Sequence, residues 1–183
     1  MKKILLLIVC LSICTILSSC AFLSEGSTYY EGARIAAKNH NYDSAFMNLK
    51  AFLRNDPKSK YSPTVCFALG EYYLDRSDYV DSAVTFFNYI NDFPNDKGVI
   101  FAELIIYKIA TQIRNDKEIT LNEKDLIDAI RKKILSRPML FMFFDNKKSF
   151  SYRSLFGNTY TAYDYVDKVK VMRNDKLFLE LTP

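Results

Sequence analysis

The chain has no tryptophan, a single histidine, five glycines and five prolines in 183 residues. Gly26, Gly32, Gly70, Gly98 and Gly157 are scattered, so they assemble neither a phosphate-cradling loop nor a dinucleotide-binding fingerprint. One histidine, His40, is too few for a histidine metal cluster, and no His-Glu-x-x-His or Gly-x-Ser-x-Gly run occurs. No catalytic residue, metal or cofactor is expected, and His40 reads as a solvated loop residue within Lys38-Asn39-His40-Asn41. What is abundant is apolar. Hydrophobic residues make up 49% of the chain, with 13 tyrosines and 14 phenylalanines, enough to bury a core and to argue against wholesale disorder.

The first twenty residues read as an address. Lys2 and Lys3 form a positive start, and Ile4 to Leu17 form an apolar run too short for a permanent membrane span. Leu17-Ser18-Ser19-Cys20 follows, and it resembles the bacterial lipobox. The resemblance implies cleavage after residue 19 and acylation of Cys20, with residues 20–27 as a lipidated tether. The alternative is an ordinary secretory signal in which Cys20 is incidental. Three acyl chains would anchor firmly, at about 0.8 kcal/mol per buried methylene. Ala21, where an inner-membrane lipoprotein carries Asp, is similar to the outer-membrane sorting pattern and implies the periplasmic face of the outer membrane. Cys10 and Cys14 would leave with the signal, so Cys66 would remain as the one thiol and no internal disulfide could form. The formal charge of +4 would fall to +2 with the loss of Lys2 and Lys3, which removes the main support for nucleic-acid binding.

Beyond the tether the chain repeats itself. Gly32 recurs as Gly70, Tyr42-Asp43-Ser44-Ala45 as Tyr79-Val80-Asp81-Ser82-Ala83, and Asp56-Pro57 as Phe93-Pro94, at offsets of 37 to 38 residues. Periods of this size with helical patterning indicate stacked helix pairs. Ser27, Asn41, Ser62 and Asp78 are the expected helix caps, with Pro63 behind Ser62 at the first helical position. Asp43, Asp78 and Asp81 suit helix N-termini, where carboxylates favour the dipole. Tyr42, Ala45, Phe46, Leu49, Phe52 and Leu53 fall at i, i+3, i+4 spacing, and Pro57 should end that helix. A further helix is expected from Val99 to about Arg114. Thr120 and Glu123 form a capping box ahead of another that ends before Pro138.

These residues resemble the tetratricopeptide repeat. Gly32 and Gly70 match its small position in helix A, Ala45 and Ala83 the small position opening helix B. Leu49 and Phe87 match its large apolar site, and Pro57, with Pro94, its terminal proline. Phe52-Leu53-Arg54-Asn55-Asp56-Pro57-Lys58-Ser59-Lys60-Tyr61 is similar to the inter-repeat segment of the BamD-like and Tol-Pal coordinator-like periplasmic lipoproteins. The fold expected is therefore mainly α: an antiparallel helix-pair, tetratricopeptide-like solenoid over residues 28–137. In such stacks the concave face is lined mainly by A helices, which makes Tyr30, Arg34, Tyr72 and Arg76 the candidates for contact with a partner.

Residues 138–183 differ in character and are expected to form a small β-containing unit. Met139 to Phe144 is a continuous apolar run, Gly157-Asn158 reads as a turn, and Tyr160–Tyr165, Val169–Met172 and Leu177–Leu181 are β-prone. Arg173-Asn174-Asp175-Lys176 should close a hairpin. The aromatics here either fill a core or form an interaction surface.

The function expected is that of a non-catalytic, lipid-anchored outer-membrane scaffold. Its partner would be a periplasmic or outer-membrane protein, not nucleic acid, and the resemblance implies a role in β-barrel protein assembly. The competing expectation is an envelope enzyme or accessory acting on peptidoglycan or polysaccharide, with polar residues such as Asp145, Tyr152, Arg153 and Asp164 gathered in a C-terminal cleft. A third is a structural lipoprotein whose C-terminal sheet docks to peptidoglycan or a barrel.

Overall fold

The computed structural model describes residues 25–135, 149–165 and 168–181. The leader with Cys20, Pro138, the apolar run at 139–144 and Asp145 lie outside the described residues. The described part is mainly helical and ends in a small antiparallel sheet.

Five helices share one length. α1 (Glu25–Lys38), α2 (Tyr42–Asn55), α3 (Ser62–Asp75), α4 (Tyr79–Asp92) and α5 (Val99–Gln112) are each 14 residues long. α1, α3 and α5 begin 37 residues apart, and so do α2 and α4. The loops between them repeat bond for bond. In the first, the amides of Asp56, Ser59 and Ser62 donate to the carbonyls of Phe52, Asp56 and Ser59. In the second, those of Phe93, Asp96 and Val99 donate to Tyr89, Phe93 and Asp96. His40 and Ser77, also 37 apart, both take positive φ at the tight turn inside each helix pair.

Side-chain cap bonds mark the starts of two helices. The Asn41 side chain accepts from the Ser44 amide at 3.1 Å and caps α2. Asp78 holds the matching position on α4 without a side-chain cap bond. Two expected caps differ. α1 begins at Glu25, which places Ser27 in its first turn. α3 is preceded by Tyr61, so Ser62 is its first residue; its buried hydroxyl donates to the Asp56 carbonyl at 3.3 Å. The capping box at Thr120 and Glu123 forms as its spacing predicts, the Thr120 amide donating to the Glu123 carboxylate at 2.8 Å. It starts α6 (Leu121–Leu135), which follows a 3-10 turn at Ile113–Asn115 and falls off the 37-residue spacing.

The small residues of the repeat sit where elements crowd. Ala45 and Ala83 are fully buried, as is Leu49. A β-carbon on Gly70 would lie 2.8 Å from the Phe86 ring, and one on Gly32 would lie 3.2 Å from the Asn48 side chain. Phe86 is fully buried; Phe87 beside it is half-buried and carries the Lys133 ammonium over its ring at 5.5 Å. Pro57 and Pro94 are exposed in the two equivalent loops.

The sheet is a meander of β1 (Ser149–Arg153), β2 (Thr159–Tyr165), β3 (Lys168–Arg173) and β4 (Lys176–Leu181), in that order. Its β3–β4 turn has Asn174 and Asp175 both at positive φ, as a two-residue hairpin turn requires. β1 is the one strand the sequence reading does not anticipate. The inner face of the sheet, with Tyr160, Ala162, Val169 and Val171 almost wholly buried, packs into one continuous core with α3 to α6. A second, smaller core joins α1, α2 and α3.

Candidate functional site

The seam between α3 and the sheet is polar at its centre. Phe67, Glu71 and Asp75 recur every four residues on α3, so they share one face. Phe67 meets the rings of Tyr152 and Tyr160, with centroids at 4.5 and 5.8 Å. Glu71 is fully buried and accepts from the Tyr160 hydroxyl at 2.7 Å and the Asn158 amide at 2.9 Å. Burial pushes its carboxyl above the ordinary range, opposed by Ser154, Arg173, Tyr160 and Asn158, which favour the charged form. Asp75 takes both terminal nitrogens of Arg173, at 2.5 and 2.8 Å. On α5, Phe101 stacks near Phe150 and Tyr152, and Lys108 donates to the Phe178 carbonyl at 2.5 Å. The chain's own sheet thus covers stripes of α3 and α5, two of the helices expected to offer a groove.

What stays open is a cleft of about 420 Å³ where the α1–α2 turn, the end of α3 and the β1–β2 turn meet. His40, Tyr42, Tyr72, Arg76, Phe156 and Asn158 are among its walls. A second cavity of about 370 Å³, reaching Lys176, Leu177 and Phe178, shares Asp75 and Asn158 with the first, so the two line one seam. Tyr42 meets Phe156 edge to face at 5.4 Å, and its hydroxyl lies 3.0 Å from His40 Nδ1. Asp43 accepts from the Tyr72 hydroxyl at 2.7 Å and from Arg76, whose guanidinium lies over the Tyr72 ring at 4.9 Å. Those two donors, Tyr72 foremost, hold the exposed Asp43 carboxyl below its usual range. The cleft therefore offers aromatic edges and an exposed ion pair, a surface suited to reversible polar and apolar contact.

Of the four residues put forward from helix phase, Tyr72 and Arg76 line this cleft. Tyr30 stacks on Tyr61 at 4.2 Å beside the smaller core, and Arg34 pairs with Glu31 at 2.6 Å on the exposed side of α1. Tyr152 faces inward against Phe67, whereas Arg153, the next residue on β1, is exposed on the opposite face. Those two side chains do not converge on a common site. Cys66 is half-buried and packs against the larger core, and burial pushes its thiol up to about 11, which disfavours the thiolate. The sequence does not mark Tyr42, Phe156, Asn158 or the Glu71–Asp75–Arg173 group as site residues: Tyr42 falls in the apolar stripe of α2, yet is 40% exposed, and Asn158 reads only as a turn. The one signal for that group is the four-residue stripe on α3 that mixes a phenylalanine with two carboxylates.

The fold and cleft define a helical protein with a repeat of 37 residues and a C-terminal sheet docked along its helices. No family model matches the chain, and no curated protein or solved structure matches it significantly. Among the described residues, no helix is long and apolar enough to cross a membrane.

Proposed function

We propose that this chain is a non-catalytic lipoprotein of the tetratricopeptide type, anchored through Cys20 to the periplasmic face of the outer membrane and binding another envelope protein. The observation that carries the reading is the recurrence every 37 residues of helix starts, tight turns and loop hydrogen bonds, which supports a stacked helix-pair array. Arrays of that kind present surfaces for extended segments of other proteins, and here the seam cleft, lined in part by Tyr72 and Arg76 of α3, offers one. Membership of the BamD-like and Tol-Pal coordinator-like group, with a role in β-barrel assembly, is the sharper form of the proposal. It rests on the lipobox and on the loop Asp56-Pro57-Lys58-Ser59-Lys60-Tyr61.

The test is crosslinking in the native envelope from a photoreactive residue placed at Phe156, followed by mass spectrometry. One reproducible protein adduct, diminished by Arg76→Glu, is the expected outcome. No reproducible adduct, or one indifferent to Arg76, refutes the cleft as the contact surface. Retention of Cys20→Ser protein in the membrane fraction would refute the anchor.

A further inference from the structure

With its inner face packed on the helices, the sheet shows its other face to solvent, and that face has a chemistry of its own. Phe150, Tyr152, Tyr160, Ala162, Val169 and Val171 point inward, so strand alternation sets Ser151, Arg153, Thr161, Tyr163, Tyr165, Lys168 and Lys170 outward. We propose that this outer face binds an acidic polysaccharide.

Tyr163 and Tyr165 are 39% and 49% exposed and lie two residues apart on β2, about 7 Å along one face. Two exposed rings at this spacing offer apolar surface to the C–H face of a pyranose. The Lys170 ammonium sits 5.8 Å from the Tyr165 ring centroid, and Lys170 pairs across the strands with Tyr163, so cation and rings address the same stretch of ligand. Ser151 and Thr161, facing each other with their hydroxyls 3.2 Å apart, supply donors and acceptors for sugar hydroxyls.

Charge sets the sign of the ligand. Arg153, Lys168 and Lys170 share the face with Glu180, which lies 3.4 and 3.6 Å from the two lysines, so cations outnumber carboxylates among the described side chains. The ligand must therefore carry anionic groups. An acidic peptide is the poorer fit. Both described cavities lie at the seam rather than on this face, and the inner strands have already paired their backbones within the sheet. A bilayer is also a poorer fit, because a surface bearing hydroxyls between its rings and cations is unsuited to insertion among acyl chains.

None of these outward residues is among the cleft residues, so the test is independent of the reading above. Full-length protein in detergent is run through native gels containing polygalacturonate, dextran or polyglutamate at about 0.15 M salt, where Debye screening acts over about 8 Å. Sedimentation with phosphatidylglycerol vesicles runs in parallel. Expected is retardation by polygalacturonate at least about tenfold stronger than by dextran or polyglutamate, with any sedimentation on vesicles, which a lipid anchor alone can give, unchanged by Lys168→Gln with Lys170→Gln. Tyr163→Ser with Tyr165→Ser, and separately Lys168→Gln with Lys170→Gln, should each weaken the retardation by about tenfold without change in helical circular dichroism, while Arg76→Ala leaves it intact. Absence of retardation, equal retardation by polyglutamate, vesicle binding that depends on the same lysines, or indifference to both double variants would overturn it.

Discussion

At Gly70 an added methyl would meet three carbons of the Phe86 ring at 2.8 Å, and that ring is fully buried. At Gly32 it would meet the end of the Asn48 side chain at 3.2 Å, which can swing aside. Alanine favours a helix interior over glycine by about 1 kcal/mol. Gly32→Ala should therefore be neutral or stabilising in urea unfolding, whereas Gly70→Ala should cost about 1–3 kcal/mol through overpacking. A second residue-scale prediction concerns Glu71. Burial raises its folded-state value above the unfolded one, so its favourable contribution is complete below the ordinary carboxylate range and is lost as pH rises through the raised value. Melting temperatures measured across pH should fall over that window, and Glu71→Gln should flatten the fall. Glu71→Ala, which leaves the Tyr160 hydroxyl and Asn158 amide without an acceptor, should cost about 1–3 kcal/mol.

Between elements, the two tight turns offer a comparison inside one molecule. Asn41 accepts from the Ser44 amide, the third of α2, and Asp78 makes no such bond on α4, although both follow a residue with positive φ. Asn41→Ala should cost about 1 kcal/mol and Asp78→Ala distinctly less, as read from unfolding midpoints. The helices themselves are legible in the sequence, because periodicity, prolines and the 37-residue spacing all mark the same boundaries. The ends of α1 and α3 are less so. At Ser62 two candidate roles compete, a cap or a first-turn residue bonded to the loop before it, and only the loop geometry decides. β1 escapes notice for a different reason. Ser149 to Arg153 alternates over just five residues and reads as a strand only once β2 lies beside it. The seam is least legible of all, because a buried carboxylate such as Glu71 looks, in sequence, like any solvated helix face.

For the whole molecule, the core that joins α3 to α6 also includes the inner face of the sheet, so sheet and helices should not melt apart. Helical ellipticity and the near-ultraviolet signal of Tyr152 and Tyr160 should be lost in one coincident transition. Two separated transitions would mean that the sheet is an appendage rather than part of the core. Arg173→Met, which removes the fork to Asp75, should lower that single transition without splitting it.

The bonds from Glu71 and Asp75 to β2 and β3 span 89 and 98 residues of sequence, whereas each helix pair closes over a few dozen. The molecule thus combines low and high contact order in one core, and the two cost very different amounts of chain entropy to close. Helix pairs can assemble from their own neighbours, and Phe67 meets Phe86 and Tyr89 within its pair. The rings of Phe150, Tyr152 and Tyr160, however, reach Phe67 and Phe101 only when β1 and β2 arrive. Until then the interval is one of exposed aromatic surface on α3 and α5, and its length is set by how quickly the sheet docks.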